Sequence, residues 1–398
     1  MYSFQSLNDP LLKGLMLEYL LRINNSSDKY EFHLITHEQK VFKQSKEQIY
    51  ITKKSLLKNY IYWYPINYKT GNFLLIKKLI NFVQSLVICI KIKFKFKPNG
   101  IVGFLPIAGG YSYIVSKLLN LKLIVFCFEP HSEYMADFGI WKKNSLKYKL
   151  LNKFEKLQIK HAQHITLPTN YSIELANKIN TNNSKYYLPI SVDTELFKFD
   201  GTARDMIRKK ISASDKTVII YTGKFGGIYY SFEIIFNFFK SLYDINNKYF
   251  FYVITPNYNE IINILKKNQD EKYYISPPVA YEKLNEYLSA ADIGLIAIPP
   301  YPSQKYRTPV KTGLYLSCGL PYIVNKGVAE DDIIAECENV GIAINNIEHI
   351  NAAEINNKIT TLLSEERKTL MQRCRNTAIK HHDTKLSVKT LKNIFEKI

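Results

Sequence analysis

Short apolar runs alternate with longer amphipathic stretches along almost the whole chain, which is how strands and helices in turn build parallel sheets. In the first half the pattern predicts strands at 30–36, 100–106, 121–128 and 164–169, with helices at 11–22, 108–119 and 145–161. A second series, opening at "KTVIIYTGKFGG", predicts strands at 218–222, 249–255, 273–276, 293–298, 321–325 and 340–344. Helices at 232–243, 260–266, 280–290 and 331–337 fall between them, and the text is helical after about residue 351. The chain opens "MYSFQSLNDPLLKG", so a first strand is short or missing. The expected class is α/β: two Rossmann-like doubly wound domains facing across a cleft, with ligand at the strands' carboxyl ends. The expected boundaries are 1–190, 191–370 and a helical tail, 371–398, that crosses back to the first domain.

Length and composition agree with this. At 398 residues, with 46% hydrophobic and 22% charged side chains, the chain suits two globular cores. The formal charge of +19, from 54 basic and 35 acidic residues, favours anionic partners. Nucleic acid is not expected, since the cations are dispersed and no zinc-finger, RNA-recognition or helix-turn-helix pattern occurs. Five cysteines without a CxxC pair (Cys89, Cys127, Cys318, Cys337 and Cys374) predict buried free thiols in a reducing compartment such as the cytoplasm. No leader or membrane span is expected.

Four stretches carry candidate chemistry. Residues 72–97, "NFLLIKKLINFVQSLVICIKIKFKFK", join an apolar helical body containing Lys77 and Lys78 to alternating "KIKFKFK". Two readings stand equal: a helix resting on an anionic bilayer, or a crossover helix followed by a short edge segment. "YTGKFGGIYY" is a strand, a glycine-rich turn and a helix start, where amides can approach a phosphate. In "SQKYRTPVKTGLYLSCGLPYIV", Pro309 opens and Gly319 closes a short helix whose mouth carries Lys305, Arg307 and Lys311. Amides, dipole and three cations there suit a diphosphate. "CFEPHSEYMADFGIW" places Glu129 and His131 after a strand, where they can bind an acceptor hydroxyl or act as a base. No spacing suggests a metal site.

These segments resemble the GT-B glycosyltransferases of the family 4 type. "NDPLLKGLMLEYL" is similar to the family's first loop and helix, and "LPISVDTELF" to its interdomain signature. "YTGKFGGIYY", "LSAADIGLIAI" and "TPVKTGLYLSCGLPYIVNKG" are similar to its donor domain. The resemblance implies a nucleoside-diphosphate sugar as donor, a glycan or lipid-linked acceptor, retention at the anomeric carbon and no metal or other cofactor. It implies peripheral work at the cytoplasmic face of a membrane, in surface-polysaccharide assembly. It assigns the diphosphate to Gly223, Lys224, Gly226, Gly227, Lys305, Arg307 and Lys311. Pro277, Val279, Tyr306 and Thr312 border the nucleotide and sugar, which Glu330, Asp331 or Asp332 would hold in place of two family glutamates, and His131 and Glu129 face the acceptor.

The sequence departs from that pattern at two positions. Leu314 stands where the family has a glutamate for the ribose hydroxyls, and Tyr306 where it has one touching the sugar. Two other readings stay open: a non-catalytic scaffold of the same fold, and a nucleotide-sugar 2-epimerase, which would need several carboxylates that the sequence does not supply.

Overall fold

The computed structural model describes residues 1–25, 29–68, 74–127 and 129–398. Residues 72 and 73 of the basic apolar stretch, the side chain of Lys78, and residue 128 of an expected strand lie outside the described residues. Two compact units form, Met1–Leu188 with Lys385–Ile398, and Pro189–Thr384. The tail therefore divides: the helix Arg367–His382 packs in the second unit, and only the last fourteen residues, Lys385–Ile398, are grouped with the first.

The first unit has strands β1 (Tyr2–Ser3), β2 (Phe32–Glu38), β3 (Ile61–Asn67), β4 (Gly100–Phe104), β5 (Lys122–Phe126), β6 (His164–Leu167) and β7 (Ser184–Tyr187). All run parallel in the order β3-β2-β1-β4-β5-β6-β7. The opening strand is two residues long yet central, pairing with both β2 and β4. β3 was not expected. Pro65 interrupts its run, and a proline is tolerated because β3 is an edge. The first helix begins as a π-helical segment, Leu12–Leu17, before Glu18–Asn24 continues as α-helix.

A further correction concerns 72–97. The expected edge segment "KIKFKFK" does not form; one helix runs from Leu74 to Phe96. The alternation is overridden because Ile92 and Phe96, four apart, turn inward together, while Phe94 between them is exposed.

The second unit has β8 (Thr217–Thr222), β9 (Tyr249–Ile254), β10 (Tyr273–Ser276), β11 (Ile293–Ile296), β12 (Tyr322–Asn325) and β13 (Gly341–Ile344). Their parallel order is β10-β9-β8-β11-β12-β13. Successive residues feed two cores: Val218, Ile220, Phe250 and Tyr252 on one face, Ile219, Tyr221, Phe251 and Val253 on the other. Burial on both faces explains why these strands read as unbroken apolar runs.

The thiols only partly meet expectation. Cys89, Cys318 and Cys374 are buried, Cys127 is half-buried, and Cys337 is exposed at the end of the helix Asp331–Cys337. Among the described residues no helix is long and apolar enough to cross a membrane.

Candidate functional site

The order of the second sheet reverses between β8 and β11, so the loops leaving these adjacent strands flank a switch point. Ligands of open α/β sheets bind at such points, beyond the carboxyl ends of the strands. Both expected anion-binding stretches lie there. After β8 comes the glycine turn, and after β11 a 3-10 turn, Pro302–Tyr306, followed by the helix Val310–Ser317.

The glycine turn is held by its own chain. Gly226 and Gly227 take φ of +73° and +65°, a region open to glycine. Gly223 N–H donates to Ile254 O (3.0 Å) and Phe225 N–H to Asn257 Oδ1 (3.1 Å). The Tyr221 hydroxyl donates to Lys224 O (2.5 Å), while the Lys224 side chain is exposed. The following helix, Phe232–Ile245, begins at the residue expected, and the Ser231 side chain caps it by accepting from Ile234 N–H.

The other helix is different. Pro309 sits at its N-cap position with φ −67° and makes no side-chain cap. Gly319 ends it at φ +72°, as its sequence predicts. From the second helical residue, Lys311 reaches back to the glycine turn. A Cβ built on Gly223 would stand 2.6 Å from Lys311 Nζ and 3.2 Å from Tyr221 Oη. The ammonium lies 4.8 Å from the Tyr221 ring centroid and 6.0 Å from that of Tyr229. Among the described residues no carboxylate is within ion-pair distance of it. Burial lowers its pKa from 10.5 to about 8, since water solvates the charge poorly there.

The remaining assigned residues divide. Lys305 and Arg307 lie on the 3-10 turn and its end, half-buried, with Lys305 Nζ 5.1 Å from the Tyr306 ring. Neither is among the atoms against Gly223; that place belongs to Lys311 and Tyr221. Thr312 and Asp331 are buried, and the threonine hydroxyl donates to the carboxylate Oδ2. They clamp the helix Val310–Ser317 to Asp331–Cys337 and present no polar surface to a ligand. Burial pushes Asp331 up to about 8. Glu330, beside it, is half-buried at the N-cap position. Pro277 is exposed and Val279 half-buried after β10, two strands from β8 and so about 10 Å away. Leu314 is 5% exposed within an apolar core, so its position on the helix faces inward.

In the first unit, Glu129 and His131 meet after β5. Glu129 Oε1 lies 3.2 Å from His131 Nδ1, both partly exposed. Beneath them buried Glu155 accepts from Ser132 N–H (3.1 Å) and Oγ–H (2.5 Å), and burial raises its pKa to about 7. Among the described residues no group of three His, Cys, Asp or Glu could hold a metal ion.

Sequence reasoning missed Tyr221 and Tyr229, the two rings beside Lys311. No spacing distinguishes them from the other tyrosines of a chain that has 30.

Residues 241–394 match the family model of the glucosyltransferase 3-like C-terminal domain. No curated protein matches the chain. Among solved structures, HepE of Anabaena in complex with UDP aligns over 100% of this chain and 99% of its own, at 11% identity and TM-score 0.68. Sucrose-phosphate synthase of Thermosynechococcus elongatus aligns over 96% and 92%, at 12% identity and TM-score 0.69. WaaG, described as a glycosyltransferase of lipopolysaccharide biosynthesis, aligns over 99% and 98%, at 14% identity and TM-score 0.65. The chain thus has the two-domain GT-B fold that these proteins share along its length, and residues 241–394 are similar to a glucosyltransferase 3-like C-terminal domain.

Proposed function

We propose that the protein transfers a sugar from a nucleoside-diphosphate sugar to a hydroxyl of a glycan or lipid-linked acceptor, with retention at the anomeric carbon. The observation that carries this reading is Lys311: a half-buried ammonium, set against Gly223 at the switch point, with no carboxylate of the described residues within ion-pair distance. A diphosphate supplies the missing negative charge. The first amides of the helix Val310–Ser317, which Pro309 does not cap, add donors and a positive dipole end. As the bond to the sugar breaks, charge grows on the departing diphosphate, and these fixed groups stabilise it without a metal. Lys305 and Arg307, on the neighbouring turn, add to the positive field.

His131, oriented by Glu129, binds the acceptor hydroxyl in this reading. The complexes of HepE with UDP and with UDP-glucose, in a protein of similar fold, favour a nucleotide sugar as donor. Surface-polysaccharide assembly at the inner face of a membrane is the setting that the basic charge suits.

Leu314 and Tyr306 favour a second reading, a scaffold of the same fold that binds no nucleotide, because neither supplies a carboxylate for ribose or sugar. Calorimetry with UDP, GDP and ADP separates the two. The transferase should take up at least one of them, and a scaffold should give no heat with any. Release of sugar from a nucleotide-sugar panel, with and without membrane extract, then identifies donor and acceptor class.

A further inference from the structure

The helix Leu74–Phe96 is apolar on two sides. Its inner side packs Phe82, Leu86, Ile88, Cys89, Ile92 and Phe96 on the core of the first unit, with Asn81 and Ser85 buried among them. Its outward row is Ile76, Leu79, Ile80, Val83, Val87 and Phe94, each between 37% and 78% exposed. At 100° per residue these six fall within one stripe, running most of a helix about 35 Å long. Water does not favour so continuous an apolar strip, and scattered exposure does not describe it.

The charges beside the stripe indicate what covers it. Lys77, Lys91 and Lys95 follow one flank and Lys93 the other, with Lys97 just past the end. No Asp or Glu occurs anywhere between Glu47 and Glu129, so this whole segment of the first unit is cationic. Apolar side chains along the crest and lysines along both shoulders match the boundary of an anionic bilayer. There acyl chains accept the crest and phosphate headgroups meet ammonium groups on flexible stems. With lysines along both shoulders and its inner side committed to the core, the helix would lie in the plane.

We propose that this helix docks the protein on an anionic phospholipid surface, with Ile76, Leu79, Ile80, Val83, Val87 and Phe94 inserted below the headgroups. The proposal deepens the reading above, resting on it only for what the docked enzyme reaches, a lipid-linked acceptor.

Flotation of the full chain with vesicles tests it. Vesicles of equal parts phosphatidylglycerol and phosphatidylcholine should carry the protein up the gradient, and pure phosphatidylcholine should carry at least tenfold less. The double variant Val83→Glu with Val87→Glu should lose at least tenfold of the bound fraction while keeping its circular dichroism. Lys91→Glu with Lys95→Glu should remove the preference for the anionic lipid. Wild type that stays at the bottom with both vesicles overturns the proposal. So does light scattering that shows a self-associated wild type made monomeric by Val83→Glu with Val87→Glu, since the stripe is then a contact between copies. Nucleotide calorimetry on the same variants should be unchanged. Docking without any nucleotide heat would refute the transferase reading alone, and nucleotide heat without docking would refute the docking alone.

Discussion

Gly223 and Lys311 are packed so closely that a single methyl group would separate them: a Cβ on the glycine would meet Nζ at 2.6 Å. The glycine also holds φ at +153°, outside the range that side chains readily adopt. Gly223→Ala must therefore push the ammonium away from the turn. Nucleoside-diphosphate affinity should fall by roughly tenfold or more, with a stability loss of about 1–3 kcal/mol. Calorimetry and thermal unfolding of the variant check both.

The lysine also sets a pH dependence. Burial lowers it from 10.5 to about 8, so in the free protein it is a cation below that pH and becomes neutral above it. Diphosphate binding should be level up to about pH 7 and weaken above about 8, by up to tenfold per pH unit. Folding responds in the opposite sense. The unfolded lysine holds its proton up to about 10.5, so stability should rise with pH between about 8 and 10.5. Lys311→Met, which removes the buried charge, should raise stability at pH 7 by about 1–2 kcal/mol. That is less than the full shift implies, because the side chain keeps some contact with solvent. A calorimetric pH series of wild type and variant measures both effects.

Leu314 decides how the missing glutamates are understood. Because it lies in the core, restoring a carboxylate there should not restore a ligand contact. Leu314→Glu should destabilise the second unit by about 3 kcal/mol or more, through an unpaired buried charge, and leave nucleotide affinity no better. Denaturant unfolding together with calorimetry tests this.

Asp331 gives an independent check on the geometry beneath the site. Its folded pKa, raised to about 8 from 3.8, makes its contribution fullest below pH 4 and progressively lost as pH rises toward 8. Asp331→Asn retains an acceptor for the Thr312 hydroxyl and does not ionise. The stability of the variant relative to wild type should therefore climb by roughly 1 kcal/mol per pH unit across that window. Chemical denaturation at pH 5 and pH 8 suffices to measure it.

Much of this was legible in the chain before its structure. The strands of the second unit stood out because burial on both faces leaves no polar interruptions, as at Val218–Ile219–Ile220. Pro309 and Gly319 marked the short helix because proline fixes φ at a helix start and glycine accepts the positive φ that ends one. β3 stayed hidden because Pro65 argues against a strand until the strand is known to be an edge. "KIKFKFK" read as alternating because its period of two is obvious, whereas the fit of Ile92 and Phe96 to the sheet depends on distant residues. The burial of Thr312, Leu314 and Asp331 escaped the sequence for the same reason. Resemblance places a residue on a helix, but only packing decides which way it turns.

The most direct test of the central claim is isothermal titration of wild type and Lys311→Ala with UDP, GDP and ADP at pH 7. The account predicts saturable heat with at least one nucleoside diphosphate for wild type and none with that ligand for the variant. Equal affinity in the two proteins, or no heat from wild type with any of the three, would contradict it.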